Sequence, residues 1–259
     1  MSHPAPTRLG GLAARTLLAA GLAGLVVPAS ALADAKGDEV LAKVESRLSA
    51  FDDQQLTFEV ANLKPGSKNP QSMSFKTVVK GPSSFTEFLA PGDIKGTRVL
   101  STSPTQMWVY LPEFGKVRRV ASHSLEAGFM GTTLTQQDMA PPAYVALFTP
   151  TFKAEDESSI TLQLDAKDGV DVAYRRMVMT VDKELQVPTK IDYLDEDGEV
   201  VRRETRKDYT CKDGYCLFGS MKMEDLTRGA WTELKPVERQ INTGVSDDTF
   251  DKRTLMYGL

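Results

Sequence analysis

Residues 107–120 read MWVYLPEFGKVRRV, and this stretch indicates the kind of fold the chain adopts. An apolar, aromatic run ends at Leu111-Pro112, a turn follows through Glu113-Phe114-Gly115, and a basic run begins at Lys116. Apolar and aromatic residues bounded by proline and glycine are typical of a β-strand that ends in a turn. The stretch therefore predicts two strands, one apolar and one basic, on either side of a tight turn.

The segments outside this stretch show the same strand periodicity. Met73, Phe75, Thr77 and Val79 share one face of a predicted strand, and polar residues mostly occupy the other. Earlier in the chain, Asp38–Leu48 has apolar residues at helical spacing behind an acidic first turn, which predicts one amphipathic helix. The rest of the chain reads chiefly as strands.

Three Asp-Gly pairs separate strand-like runs, at Asp168-Gly169, Asp197-Gly198 and Asp213-Gly214. Asp-Gly is a strong local signal for a β-hairpin. No helix-length apolar pattern lies between these runs to form parallel crossovers. We therefore predict an all-β fold with few helices, built on one antiparallel sheet that is strongly curved or closed into a barrel.

The N-terminus predicts export. Arg8 and Arg15 precede a short apolar run, and Ala31-Leu32-Ala33 resembles a cleavage site, so residues 1–33 are predicted to be a secretory signal peptide. Residues 34–259 are then a single domain in a soluble mature protein. Removing the two arginines changes the net charge from −4 to −6, which disfavours nucleic acid as a partner.

Cys211 and Cys216 flank a predicted tight turn. Cysteines facing each other across a short hairpin lie close enough to bond, and export to an oxidising compartment favours a disulfide. A metal site is the weaker alternative, since zinc requires about four ligands and the only histidine after the signal peptide, His123, is distant in sequence. We expect no metal and no cofactor.

Residues 122–142 follow neither the helical nor the strand period. Two glycines surround Phe129-Met130, a Pro-Pro pair ends the segment, and Thr135–Met139 could form a short helix. Loops of this length are usually functional or disordered, and the apolar residues argue against disorder. We predict a mobile lid that packs through Phe129, Met130, Leu134 and Met139.

The sequence contains no motif that indicates catalysis. His123 is surrounded by serines but lacks a nucleophile-elbow pattern, so a hydrolase is the least favoured class and we expect no enzyme. Methionines instead recur on the apolar faces of strands, which fits either ordinary core packing or a pocket that accepts acyl chains.

Trp108–Pro112, Lys116–Val120, Gly128–Gly131 and Asp138-Met139 resemble, in this order, the LolA-like family of outer-membrane lipoprotein-sorting proteins. At the end of the chain, Phe250, Arg253 and Leu255 resemble that family's terminal Phe-x-x-Arg-x-Leu pattern. One difference is that residues 132–137 read TTLTQQ where family members usually carry an acidic and aromatic stretch.

This resemblance implies an incomplete antiparallel β-barrel around a hydrophobic cavity, covered by helices or loops. The implied function is a periplasmic carrier that binds lipid or lipoprotein acyl chains for transfer to the outer membrane. An inner-membrane transporter and an outer-membrane acceptor would be its partners. The alternative is an envelope-stress sensor or an accessory subunit of an envelope lipid transporter.

The predicted site residues follow from strand alternation and from this resemblance. Arg118 and Arg119 must face opposite sides of a strand, so at most one of them contacts cargo or a partner at the cavity mouth. The residues predicted to line the acyl cavity are Met73, Phe75, Met107, Val109, Leu111, Met177, Met179, Met221 and Met223.

Overall fold

The computed structural model describes residues 29–103, 105–121, 128–135 and 137–258, together with Met1 and His3. Most of the predicted signal peptide lies outside these residues, and so does His123. Within the described part of the chain, the helices are all too short or too polar to cross a lipid bilayer.

Fifteen strands and three α-helices form the described structure. The helices are α1 (Ala29–Leu48), α2 (Tyr144–Leu147) and α3 (Lys252–Tyr257). The strands are β1 (Asp53–Leu63), β2 (Gln71–Lys80), β3 (Ser83–Ala90), β4 (Arg98–Ser103), β5 (Gln106–Leu111), β6 (Lys116–Arg119), β7 (Phe148–Glu155), β8 (Ser159–Ala166), β9 (Arg176–Asp182), β10 (Val187–Leu194), β11 (Val200–Lys207), β12 (Thr210–Lys212), β13 (Tyr215–Leu217), β14 (Ser220–Asp225) and β15 (Ala230–Ile241).

Thirteen strands form one antiparallel sheet in the order β6-β5-β4-β3-β2-β1-β15-β14-β11-β10-β9-β8-β7. The first and last strands of the chain, β1 and β15, pair at its centre. Among the described residues, β6 and β7 are the two edges and do not pair with each other. The predicted incomplete antiparallel barrel is therefore confirmed.

The concave face of the sheet holds the main hydrophobic core. Inward-facing residues alternate along each strand, as in β9, where Met177, Met179 and Val181 are buried. Helix α1 closes part of this core with Val40, Leu41 and Val44. The helix is longer than predicted, since it begins at Ala29 rather than Asp38.

Gly37 allows α1 to lie directly on strand β7. A Cβ atom at this position would lie 3.3 Å from both the Phe152 nitrogen and the Pro150 oxygen, closer than most Cβ contacts. Lys36 on the same turn pairs with Glu155 and lies over the Phe152 ring. This close contact fixes the helix against one edge of the sheet.

A second, smaller core covers the convex face. Leu255 of α3 is fully buried against Phe85 and Leu100, with Trp108 and Phe250 packed around them. Arg98 donates hydrogen bonds to the carbonyls of Leu255 and Met256 at the end of the helix. The terminal pattern that carried the family resemblance thus attaches the C-terminus to the outside of the sheet.

Two of the three Asp-Gly pairs lie in short hairpin connections. Asp197-Gly198 joins β10 to β11, and Asp213-Gly214 joins β12 to β13 with both residues at positive φ. Asp168-Gly169 lies in a longer connection, residues 167–175, between β8 and β9. Across the β12–β13 hairpin, Cys211 and Cys216 are paired and form the predicted disulfide.

Candidate functional site: two cavities inside the barrel

The larger cavity, which we call the apolar cavity, lies between α1, the central strands and the β12–β13 hairpin. Its volume is about 230 Å³. Phe58 and Phe75 pack against each other in its wall, with ring centroids 5.1 Å apart. Other apolar residues that line it are Leu48, Phe51, Leu56, Val79, Leu134, Met139, Leu217, Phe218, Met221 and Leu234.

The smaller cavity, which we call the polar cavity, has a volume of about 120 Å³. Methionines and Phe148 line part of it, but its wall also carries Tyr144, Tyr174, Tyr193, Glu204 and Arg206. Six residues face both cavities and form the wall between them, which we call the dividing wall: Asp138, Ala140, Pro141, Pro142, Arg206 and Met221. The two cavities are similarly polar overall, and the smaller one differs in carrying three tyrosines and Glu204 in its wall.

Strand β11 supplies the charged part of this wall. Its inward-facing residues are Arg202, Glu204 and Arg206, all buried or nearly so. Arg206 donates through Nε to Glu204, and Tyr193 donates to the other carboxylate oxygen of Glu204 at 2.9 Å. The second amino group of Arg206 contacts the Tyr144 hydroxyl at 3.3 Å. These bonds satisfy the buried charges, which would otherwise be costly.

Arg202 anchors the predicted lid segment to the sheet. Its guanidinium donates to the Thr133 carbonyl and, at 3.0 Å, to the Asp138 carboxylate. It also lies over the rings of Tyr174 and Tyr193. Two arginines and two carboxylates, Arg202 with Asp138 and Arg206 with Glu204, thus form two ion pairs beside the cavities.

Burial keeps the phenols of Tyr144 and Tyr193 protonated. It raises the pKa of Tyr144 to about 12, and burial followed by the charge of Glu204 raises the pKa of Tyr193 well above 10. Burial acts to lower the pKa of Arg206, but the charge of Glu204, the neighbouring Tyr144 and Tyr209 and the hydrogen bond to Glu204 together outweigh it and hold that pKa above the ordinary value. At neutral pH Tyr144 and Tyr193 are therefore neutral hydrogen-bonding groups.

The described part of the lid segment is packed inside the barrel. Phe129 and Leu134 are buried, and Phe129 packs against Phe88 with centroids 5.4 Å apart. Thr133 donates to the Met223 carbonyl and bonds Thr232, which in turn bonds Asn62. Residues 128–135 are thus bonded to several central strands. Only a short 3₁₀ turn, Gln137–Met139, forms where a helix was predicted.

The residues predicted to line an acyl cavity occupy two kinds of position. Phe75 lines the apolar cavity, Met221 lines both, and Met177 and Met223 line the polar one. Of the predicted lid residues, Leu134 and Met139 also line the apolar cavity. The others line neither cavity: Met73, Met107 and Met179 are buried in the core, Val109 and Met130 pack partly against it, Phe129 is buried, and Leu111 is half-buried.

The two arginines that were predicted to lie at the cavity mouth are both on strand β6. Arg118 pairs with Val109, so it lies on the inner face, and Arg119 pairs with Trp108 on the outer face. Both are exposed on the edge strand β6, and neither lines either cavity. Arg118 lies over the ring of Phe114 in the preceding turn. Contact of Arg118 with cargo therefore stays a prediction.

The charged cluster was not found from the sequence. A signal for it exists in β11, where VVRRETRK places charged residues on both faces of the strand. Either face of this strand carries charged residues, so charges become buried whichever face turns towards the core. Buried charges need partners. The tyrosines could not be assigned, because Tyr144, Tyr174 and Tyr193 come from distant segments.

Comparisons with solved structures place this architecture among known folds. A domain from Vibrio parahaemolyticus, described as an outer-membrane lipoprotein-sorting protein, superimposes with a TM-score of 0.78 at 24% identity, covering 86% of this chain and 99% of that one. A DUF1329 family protein from Desulfovibrio piger gives the same values. A LolA superfamily protein from Nitrosomonas europaea gives 0.72 at 19% identity, covering 85% and 99%.

Comparisons at the level of sequence add one match. A model of a protein family described only as uncharacterized matches residues 81–257. No curated protein matches the chain. The resemblance inferred from the sequence is thus confirmed for the fold.

Proposed function

Because the chain belongs to this family of uncharacterized proteins and has the LolA-like fold, we propose that it is a periplasmic carrier of acyl chains. The chains would belong to a lipid or to an acylated lipoprotein in transfer to the outer membrane. An inner-membrane transporter as donor and an outer-membrane acceptor would be its partners. The protein would bind its cargo without altering it chemically.

The apolar cavity is the observation that carries this proposal. It lies inside a sheet whose edges, β6 and β7, do not pair in the part of the chain that the structure describes, and its walls are mainly aromatic and aliphatic side chains. Each methylene moved from water into such a cavity contributes about 0.8 kcal/mol. Burial of about ten methylenes would give about 8 kcal/mol, on the micromolar scale of affinity before ordering costs. That affinity suits binding followed by release.

A polar substitution in the cavity wall tests this function. Val79 lines the apolar cavity, so Val79→Asp places a carboxylate against the bound chain. We expect the affinity for a fluorescent fatty-acyl probe to fall at least about 10-fold, about 1.4 kcal/mol. Circular dichroism would establish that the variant is folded.

Ser72→Asp on the same strand is the matched control. Ser72 is exposed and faces away from the core, and its cross-strand partner is Ala61. The variant adds the same charge outside the cavity and should bind the probe like the wild type. Unchanged binding by folded Val79→Asp, or absence of probe binding by the wild type, would contradict the proposed function.

A further inference from the structure

The two cavities together suggest which chemical group the polar end of an acyl ligand carries. This inference rests on the proposed function. A chain in the apolar cavity would meet the dividing wall at Arg206 and Met221. Beyond this wall lies the polar cavity, with three tyrosines and an ion pair. A larger cavity for the chain, next to a smaller one that carries these hydrogen-bonding groups, is an arrangement that suits an amphipathic ligand.

The charges beside the polar cavity cancel. The charged residues in its wall are Asp138, Glu204 and Arg206, and Arg202 pairs with Asp138 from behind. Each guanidinium is committed to one carboxylate. A ligand that brought another charge into this site would leave it without a counterion, which is costly away from water.

Neutral hydrogen-bonding groups do remain for a ligand. The oxygen of the Tyr144 hydroxyl accepts from Arg206, so its own hydrogen can be donated elsewhere. Tyr144 and Tyr174 both face the polar cavity. A carbonyl oxygen of an ester or an amide is the natural acceptor for such donors.

We propose that the polar cavity binds the uncharged end of an acyl ligand, a glyceryl ester or an acyl amide, in preference to a phosphate or a quaternary ammonium group. Calorimetric titration of the full chain with ligands that share one dodecyl-length chain tests this. Monolauroylglycerol and lauroyl ethanolamide present an ester and an amide. Dodecyl phosphate and dodecyltrimethylammonium present the two charges.

For the wild type, we expect the neutral ligands to bind at least about 10-fold more tightly than either charged one, all below their micellar concentrations. A difference in affinity between the ester and the amide ligand shows which of the two neutral groups the cavity prefers. Equal or tighter binding of dodecyl phosphate or dodecyltrimethylammonium would overturn this inference alone. If none of the four binds, the proposed function fails and the inference fails with it.

An isosteric change then alters the charge balance of the cluster. Glu204→Gln leaves Arg206 without its carboxylate. The affinity for dodecyl phosphate should therefore rise at least about 10-fold relative to the affinity for monolauroylglycerol. Glu224→Gln is the matched control, because Glu224 pairs with Lys222 on the outer face of the neighbouring strand. The control variant should keep the wild-type order of affinities for the four ligands. An equal change in relative affinity in both variants would overturn the inference.

Discussion

Asp53 shows how much one buried carboxylate contributes to this fold. Its two oxygens accept hydrogen bonds from the backbone nitrogens of Thr243, Gly244 and Val245, and from the Thr243 hydroxyl. Asp53 begins the first strand, and these residues follow the last one. The side chain therefore joins the start of β1 to the segment that follows β15, beside the central pair of strands.

We expect Asp53→Asn to lower the free energy of unfolding by about 1–3 kcal/mol. The new amide group carries hydrogens where the carboxylate accepted them, so buried backbone nitrogens lose their partners. Urea denaturation at neutral pH measures the effect. Asp52→Asn changes an exposed neighbour and should stay within about 0.5 kcal/mol of the wild type.

The same carboxylate predicts a dependence on pH. Burial acts to raise the pKa of Asp53, but the hydrogen bonds from residues 243–245 outweigh it and lower the pKa below 3.8. Its stabilisation is therefore present above pH 3.8 and is lost as the pH falls through the lower folded pKa. Urea denaturation between pH 5 and about pH 2 should show that the difference in free energy of unfolding between the wild type and Asp53→Asn becomes smaller as the pH falls. A constant gap would contradict this assignment.

Residue-level roles were only partly predictable from the sequence. The cysteine pair was, because its geometry depends on six consecutive residues and one turn. Arg202, Glu204 and Arg206 were not, because alternation assigns them to one face without saying that this face is buried. Met179 could not be distinguished from Met223, since both lie on inner faces and only packing decides which one borders a cavity.

At the scale of elements, Leu255 is the buried side chain through which α3 packs on the sheet. Leu255→Ala removes the apolar residue that fills the outer core between Phe85 and Leu100. We expect a loss of about 2–5 kcal/mol in the free energy of unfolding. The side chain of Met256 on the same helix is exposed, so Met256→Ala should cost less than about 0.5 kcal/mol. Equal effects would mean that the helix contributes little.

The lid segment should behave as two parts in hydrogen exchange. Residues 128–135 are bonded to central strands, so their bonded amides should be protected even in the empty protein. Gln137–Ala140 belong to the wall between the cavities, and their amides should exchange more slowly when an acyl ligand is bound. Equal exchange of these amides with and without ligand would contradict a lid at this position.

The boundaries of elements were harder to predict than their existence. Alternation identified the strands around Met73, Met107 and Met177 because one face of each is buried. Helix α1 extends beyond the predicted start, and Lys36 and Gly37, just before that start, contact β7. Helix α2 was not predicted, because it is one turn long and has no periodicity to detect.

At the scale of the whole molecule, the sheet order is what the sequence least reveals. Hairpin signals connect neighbours along the chain, and they account for the two arms, β2 to β6 and β7 to β11. The central pairing of β1 with β15 has no local signal, because it joins residues from opposite ends of the chain. It required a family resemblance or the structure itself.

That central pairing also sets when the apolar cavity can form. Asp52 and Asn242, which bond beside the β1–β15 seam, are 190 residues apart. At a synthesis rate of about 5–20 residues per second, β1 waits about 10–40 s for its second neighbour. Each arm can form its local hairpins during that interval, but the wall between Leu56 and Leu234 cannot close. A chain cut short before β15 would therefore carry the hairpins of both arms but lack one wall of the apolar cavity.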